Sequence, residues 1–135
     1  METYNIDKEI TVFFVQAASF PEGIGAAWQK LHSLLPAGDT RMRYGISYPG
    51  PNGAIIYRAA AAETFPGEGS HKGCETFLIK KGPYISEFVS DWKKDETVIG
   101  KTFRQLLNQP GIDLQGYCLE IYENPKDVRC LVPLG

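Results

Sequence analysis

The sequence predicts an α+β protein built from two copies of one β-α-β-β unit, with an antiparallel sheet and two main helices. The first observation behind this is a repeated motif, because Ile24–Leu31 and Ile99–Leu106 share the pattern I-G-x-x-aromatic-x-x-L. The second is that a strand-like segment precedes each copy, and a Tyr-x-hydrophobic-polar segment follows it at Tyr44 and Tyr117. Recurrence of the elements in one order indicates internal duplication. We expect one domain over residues 1–135, with pseudo-repeats at about 9–63 and 75–134.

The first repeat has the pattern of a strand, a helix and a hairpin. Ser19 and Glu22 have the spacing of a capping box, and Pro21 suits a first helical turn. The apolar face of this helix repeats at helical spacing, with Ile24, Ala27, Trp28, Leu31, Leu34 and Leu35. Predicted strands, rich in β-branched and aromatic residues or flanking the turn-rich Pro49–Gly53, are 9–17, 43–48 and 54–62.

The second repeat follows a Gly-rich segment, Phe65–Gly73, which we interpret as a surface linker. Asp95 or Thr97 caps its helix, and the helix ends at Asn108–Gly111. The apolar face of this helix is Ile99, Phe103, Leu106 and Leu107. The predicted strands are 75–80, 84–89, 117–122 and 128–133.

Composition and charge exclude several classes of function. A chain of 135 residues with a net charge of −2 has no clustered Lys and Arg, so we expect no direct contact with nucleic acid. The N-terminal residues are acidic where a signal peptide needs a basic and then an apolar stretch. No apolar run approaches the roughly 20 residues that cross a bilayer. We therefore expect a cytoplasmic protein that does not contact a membrane.

The sequence offers no cofactor or metal motif. Its three cysteines have no C-x-x-C spacing, which indicates reduced thiols, and His32 and His71 lie far apart without nearby ligand partners. A G-x-S-x-G motif, a paired Cys and His, and a phosphate-binding glycine loop are all missing. We expect neither a metal nor a cofactor, and no residue is assigned a catalytic role on this basis.

Glu120 is the leading candidate for a functional residue. Strand alternation puts Cys118, Glu120 and Tyr122 on one face and Leu119 and Ile121 on the other, where we expect them to meet the helices. A hairpin centred on Pro125 would place Cys130 opposite Glu120 and Val128 opposite Tyr122. Such half-apolar surroundings favour a bound cation or hydrogen-bond donor. The alternative is a solvated glutamate on an open sheet face, because glutamate is rarely buried without a partner.

Aromatic residues are the second candidate feature, at 12% of the chain. Their faces attract organic cations and flat ligands. Six tyrosines fall in predicted strands or at their ends, whereas Trp28 and Phe103 are interpreted as core residues of the helices. Trp92, after a strand and before a charged run, suits a pocket wall as well as the core.

The C-terminal motifs resemble the GyrI-like effector-binding domain family. Tyr117–Tyr122 reads hydrophobic-Glu-hydrophobic-Tyr, Val128–Leu134 ends in hydrophobic-Pro, and Phe77–Tyr84 is similar to the family's mid-domain strand. The resemblance implies a duplicated β-α-β-β fold with a ligand cleft where the halves join. It also implies that Glu120 faces lipophilic, drug-like cations amid aromatic side chains, as in the domain's multidrug transcription regulators.

Strand phase and position give the remaining ligand-binding candidates, which are Tyr48, Tyr57, Trp92, Tyr122 and Cys130 beside Glu120. Aligning the repeats on their tyrosines makes Ser47 the counterpart of Glu120, so one central carboxylate is expected. The chain leaves no room for a helix-turn-helix next to such a domain, so we expect a standalone binder of small organic molecules.

Two alternatives stay open. One is a hydrolase of reactive cyclopropane-type electrophiles, with Glu120 as its catalytic general base. The other is a module that binds a protein partner such as DNA gyrase or a transcription regulator. Both functions occur among standalone members of the family that the motifs resemble.

Overall fold

One antiparallel sheet of eight strands and two main helices confirm the predicted α+β class. The computed structural model describes all residues, 1–135. The strands are β1 (Glu2–Ile6), β2 (Ile10–Gln16), β3 (Arg43–Pro49), β4 (Ile55–Ala62), β5 (Glu75–Ile79), β6 (Gly82–Val89), β7 (Cys118–Tyr122) and β8 (Val128–Pro133). The helices are α1 (Ile24–Ser33), the short α2 (Glu68–His71) and α3 (Val98–Leu107), and one 3₁₀ turn covers Trp92–Lys94.

The strand order, β1-β6-β8-β7-β3-β4-β2-β5, requires the sheet to curl. Strands β1 and β2 are six positions apart in the sheet, about 29 Å if it were flat. The chain between Ile6 and Ile10 spans at most about 14 Å. The opposite edges must therefore approach each other, and the face inside the curl becomes buried against itself.

The inner face of the curl holds the largest hydrophobic cluster. It contains apolar side chains from all eight strands or their ends and none from a helix: Ile6, Val12, Phe14, Tyr44, Ile46, Ala60, Ile79, Tyr84, Tyr117, Leu119, Ile121 and Leu131. The expectation that Leu119 and Ile121 meet the helices is therefore wrong. Alternation along β7 groups its side chains by face, but it does not reveal that curling alone buries one of those faces.

The outer face carries both main helices. Helix α1 packs on β2 and β4 in a cluster that includes Phe13, Leu31 and Tyr57. Helix α3 packs on β6 and β8, with Leu106 and Cys130 in its cluster. Because β3 and β7 lie between these two pairs of strands, their outer side chains fall between the helices.

Three local expectations change. Helix α1 begins after Gly23 without a side-chain cap, because Ser19–Gly23 forms a separate turn in which Gly23 N donates to Ser19 O at 3.1 Å. Strand β1 was not predicted, although it completes the sheet at β6. The predicted linker contains α2, and the buried carboxylate of Glu68 accepts hydrogen bonds from Arg41 Nη1 at 2.8 Å. No helix has the length and apolar character needed to cross a membrane.

Candidate functional site

Glu120 lies in the middle of the sheet, on the outer face between α1 and α3. Its neighbours across the two ladders are Gly45 of β3 and Cys130 of β8. The pairing with Cys130 confirms the hairpin register centred on Pro125. Only 5% of the Glu120 residue surface is exposed. The carboxylate is therefore buried, and the open, solvated alternative for this residue is excluded.

Two tyrosine hydroxyls bind one oxygen of this carboxylate. Tyr122 donates to Glu120 Oε1 at 2.5 Å, and Tyr57 donates to the same oxygen at 3.1 Å. Tyr57 in turn accepts a hydrogen bond from Trp28 Nε1 at 3.1 Å, which ties α1 to the sheet. The second oxygen, Oε2, accepts no hydrogen bond from the protein, so half of the carboxylate's acceptor capacity is unused.

Gly45 makes room for the carboxylate. A Cβ atom added at this position would lie 2.5 Å from Glu120 Oε1 and 2.6 Å from the Tyr57 hydroxyl. Both distances are far inside van der Waals contact, and the three groups are held by the ladder and their hydrogen bonds. Any side chain at position 45 would therefore displace the carboxylate or its tyrosine donor.

Aromatic rings surround the tyrosine pair. The ring of Tyr122 meets Trp28 on one side, with centroids 5.6 Å apart, and Trp92 on another, at 6.0 Å, both edge-on. Phe20 lies 6.2 Å from the ring of Tyr57. The walls around Glu120 thus come from α1, from the turn before it, and from the 3₁₀ turn before α3.

The site has a carboxyl group without a basic partner. Burial raises the pKa of Glu120, and the hydrogen bonds from Tyr122 and Tyr57 oppose that rise. Burial and the Glu120 charge raise the pKa of both tyrosine hydroxyls, so these stay neutral donors. No lysine, arginine or histidine forms a salt bridge with the carboxylate.

The thiols next to Glu120 are neutral as well. Burial, followed by the charge of Glu120, raises the pKa of Cys118 to about 11 and that of Cys130 still further. Thiolates are the form that binds metals and attacks electrophiles. The chain has no group of three or more His, Cys, Asp or Glu side chains placed to hold a metal ion.

The structure brings together five of the six residues that the sequence nominated, namely Glu120, Tyr122, Tyr57, Trp92 and Cys130. The sixth, Tyr48, lies on the inner face, where the guanidinium of Arg58 stacks over its ring at 5.1 Å. Alternation places Tyr48 on the same side of β3 as Ile46, and the ladder with β7 makes this the side away from Glu120.

Sequence reasoning missed two members of the site, Trp28 and Gly45. Trp28 sits where the second repeat has Phe103, and only tryptophan carries an N–H that needs a partner. That difference indicated that Trp28 has a polar role in addition to packing in the core. Nothing in the sequence showed that Gly45 would face Glu120, because the pairing of β3 with β7 depends on the whole sheet.

The sequence matches no protein-family model and no curated protein. Solved structures do match the fold. The protein SAV2435, solved bound to tetraphenylphosphonium, superposes with a TM-score of 0.72 at 11% identity over 99% of this chain and 93% of that chain. An integron cassette protein from the mobile metagenome of Vibrio cholerae, VCH_CASS2, has a TM-score of 0.65 at 16% identity, over 99% and 95%.

A third match is a Staphylococcus aureus MU50 protein assigned by inference to bacterial transcription regulation. Its TM-score is 0.65 at 12% identity, over 98% of this chain and 96% of that chain. At such identities the likeness establishes the shared fold, and the function must be argued from the site itself.

Proposed function

We propose that this chain binds a small lipophilic organic cation against Glu120. The observation that carries the proposal is a buried carboxylate with no basic partner and one oxygen, Oε2, without a hydrogen bond from the protein. An ionised carboxylate in such a place is unfavourable unless an opposite charge joins it. A bound cation supplies that charge.

The walls of the site suit an organic cation better than a metal ion. Trp28, Trp92 and Tyr122 present aromatic surface beside the carboxylate, and aromatic faces attract alkylammonium and phosphonium groups. A metal ion would need several more oxygen, nitrogen or thiolate ligands. Because Glu120 is almost covered, ligand entry requires one of the covering aromatic side chains to rotate away.

Two likenesses support the proposal. The C-terminal motifs resemble the GyrI-like effector-binding domains, and the fold is similar to that of SAV2435, which was solved with tetraphenylphosphonium bound. We propose that the chain is a relative of those domains.

Tetraphenylphosphonium and its isosteric anion, tetraphenylborate, provide the decisive pair of probes. We expect the cation to raise the melting temperature and to bind measurably by calorimetry, whereas the borate does neither. Glu120→Gln should weaken cation binding at least about tenfold, because buried charge pairs contribute more than 1.4 kcal/mol. Glu123→Gln removes the same charge from an exposed position one residue beyond β7 and should leave binding unchanged.

The pH dependence of binding gives a second readout. Burial raises the pKa of Glu120 above its ordinary value of 4.5, so protons and the cation compete for the carboxylate in the pH range above that value. Cation affinity should therefore increase with pH in wild type and in Glu123→Gln, and it should be flat in Glu120→Gln. Equal binding of the borate, or unchanged binding by Glu120→Gln, would contradict the proposal.

The hydrolase alternative rests on the same free oxygen. A carboxylate with a raised pKa and an unoccupied Oε2 suits a general base. Turnover of a cyclopropane-bearing electrophile by wild type, and its absence in Glu120→Gln, is the outcome this alternative requires. Binding without turnover favours the binding module.

A further inference from the structure

The indole N–H of Trp92 is buried without a hydrogen-bond partner, and it is the one fully buried side-chain nitrogen or oxygen in the chain of which this is true. A buried donor without an acceptor is destabilising, and natural proteins rarely leave one. Trp28, the other tryptophan, has its indole N–H bonded to Tyr57. Of the two tryptophans, only Trp92 therefore has an indole N–H without an acceptor.

The main chain holds Trp92 firmly in place. Asp91, just before it, has a φ of 53°, the only positive φ outside glycine. Such left-handed backbone is uncommon for residues with a side chain. Two hydrogen bonds to the β7–β8 hairpin maintain it: Asp91 N donates to Asp127 Oδ1 at 3.0 Å and Trp92 N to Lys126 O at 3.1 Å. These hydrogen bonds position the backbone of Trp92, and neither of them involves its indole N–H.

Trp92 belongs to the same aromatic group as the carboxylate site. Its ring meets Tyr122, whose hydroxyl donates to Glu120 Oε1. The site therefore has two polar atoms of opposite kind without a partner in the protein. Glu120 Oε2 accepts no hydrogen bond from the protein, although it is not fully buried, and the buried Trp92 Nε1 donates to nothing. A ligand that carries both a positive charge and a hydrogen-bond acceptor would satisfy both groups.

We infer that the ligand is a bifunctional organic cation whose positive group pairs with Glu120 and whose acceptor oxygen or nitrogen receives the Trp92 indole N–H. This inference rests on the proposed function and narrows its ligand class. A symmetric hydrocarbon cation such as tetraphenylphosphonium fills only half of this requirement. Esters, ethers or amides that bear an ammonium group fill all of it.

Two matched cations test the inference. Benzoylcholine carries an ester between its ring and its trimethylammonium group, and 4-phenylbutyltrimethylammonium has the same chain length without an acceptor. We expect wild type to prefer the ester about fivefold, the contribution of one neutral hydrogen bond. Trp92→Phe removes the donor and leaves a smaller aromatic ring, so both cations should bind more weakly. The ester should lose about fivefold more affinity than 4-phenylbutyltrimethylammonium, which abolishes the preference.

The indole N–H resonances provide a direct readout. In ¹H–¹⁵N spectra, the Trp92 indole signal is assigned by its loss in Trp92→Phe. This signal should move downfield when benzoylcholine is added and not when 4-phenylbutyltrimethylammonium is added. The Trp28 indole serves as an internal reference for general effects of ligand binding. A Trp92 indole already bonded to a trapped water in the ligand-free protein would overturn the inference.

The remaining outcomes separate this inference from the proposed function. If tetraphenylphosphonium binds through Glu120 but the ester gives no advantage, or neither choline-type probe binds, the bifunctional ligand is wrong and the cation site stands. If Trp92→Phe retains the preference, the acceptor has another donor and the assignment of Trp92 fails. If no cation binds at all, the proposed function itself fails.

Discussion

At the scale of single residues, the site depends on a difference between two positions that face each other. The helix motifs begin at Ile24 and Ile99, and Gly45 is separated from Glu120 by the same number of residues. Aligning the repeats on these motifs therefore favours Gly45, in place of Ser47, as the counterpart of Glu120. These two residues are also direct partners in the β3–β7 ladder. A glutamate at both positions would place two carboxylates in one space, whereas glycine leaves room for a single carboxylate and its tyrosine donor.

Gly45→Ala is expected to destabilise the protein by about 1–3 kcal/mol, the usual penalty for overpacking. Its Cβ would lie 2.9 Å from the Glu120 carboxyl carbon, so the side chain must move. Chemical denaturation measures the loss, and cation binding should weaken in parallel. Gly25→Ala is the matched control, because a Cβ there meets no atom within 4 Å.

In the control, alanine in place of a glycine inside α1 should stabilise the protein by about 0.5–1 kcal/mol. Equal effects of the two substitutions would mean that the space at Gly45 is not what positions Glu120.

At the scale of elements, the two helices are similar in position and different in chemistry. Trp28 of α1 and Phe103 of α3 occupy matching places in the repeated motif, and both face the sheet. Only Trp28 donates a hydrogen bond into the site, so α1 is tied to Glu120 through Tyr57 and α3 is not. The short helix α2 has a different role, because its Glu68 anchors the segment between α1 and β3.

The anchor is a small network of charges around Arg41. Its guanidinium binds Glu68 on one side and Asp39 on the other, at 2.8 Å each, and its Nη1 also donates to Ala62 O at 3.1 Å. The hydrogen bonds from Arg41 lower the pKa of Asp39 to about 2. Thr64 N adds a further hydrogen bond to Glu68 at 2.8 Å. The network joins α2, the end of β4 and the approach to β3.

Glu68→Gln should reduce the free energy of unfolding by about 2–4 kcal/mol, because it leaves buried donors and part of a buried charge without a partner. The measurement is equilibrium unfolding in urea at neutral pH. As a control, Lys101→Gln removes a salt bridge to Asp95 at 3.7 Å in which both side chains are more than half exposed. That change should stay within about 0.5 kcal/mol, and a similar loss in both variants would argue against the network.

At the scale of the whole molecule, the two halves exchange edge strands. Strand β1, which begins the first half, pairs with β6 of the second, and β5, which begins the second half, pairs with β2 of the first. Their sequences, Glu2–Ile6 and Glu75–Ile79, share the pattern E-T-aromatic-x-I. This reciprocal arrangement favours the duplication, which stays a prediction, and it would extend the first copy to include β1, the strand that the sequence interpretation left out.

Because each half completes the sheet of the other, we expect the halves to unfold together. Trp28 reports on the first half and Trp92 on the second, so Trp92→Phe and Trp28→Phe each leave a single fluorescent reporter. In each variant, the unfolding transition followed by tryptophan fluorescence should coincide with the transition followed by circular dichroism, as expected for two-state unfolding. Fluorescence and circular dichroism transitions that separate within either variant would show that the halves unfold independently.

Sequence periodicity was enough for most features that depend on local backbone geometry, although it missed β1, α2 and the true start of α1. It predicted the strands other than β1, the two main helices, the register of the last hairpin, and the shared face of Cys118, Glu120 and Tyr122, because neighbouring side chains alternate along a strand. The tertiary structure alone decided which face the helices cover, that Gly45 faces Glu120, and that Trp28 joins the site while Tyr48 does not. Those features depend on the curl of the sheet and the register of strands far apart in sequence, which no local pattern encodes.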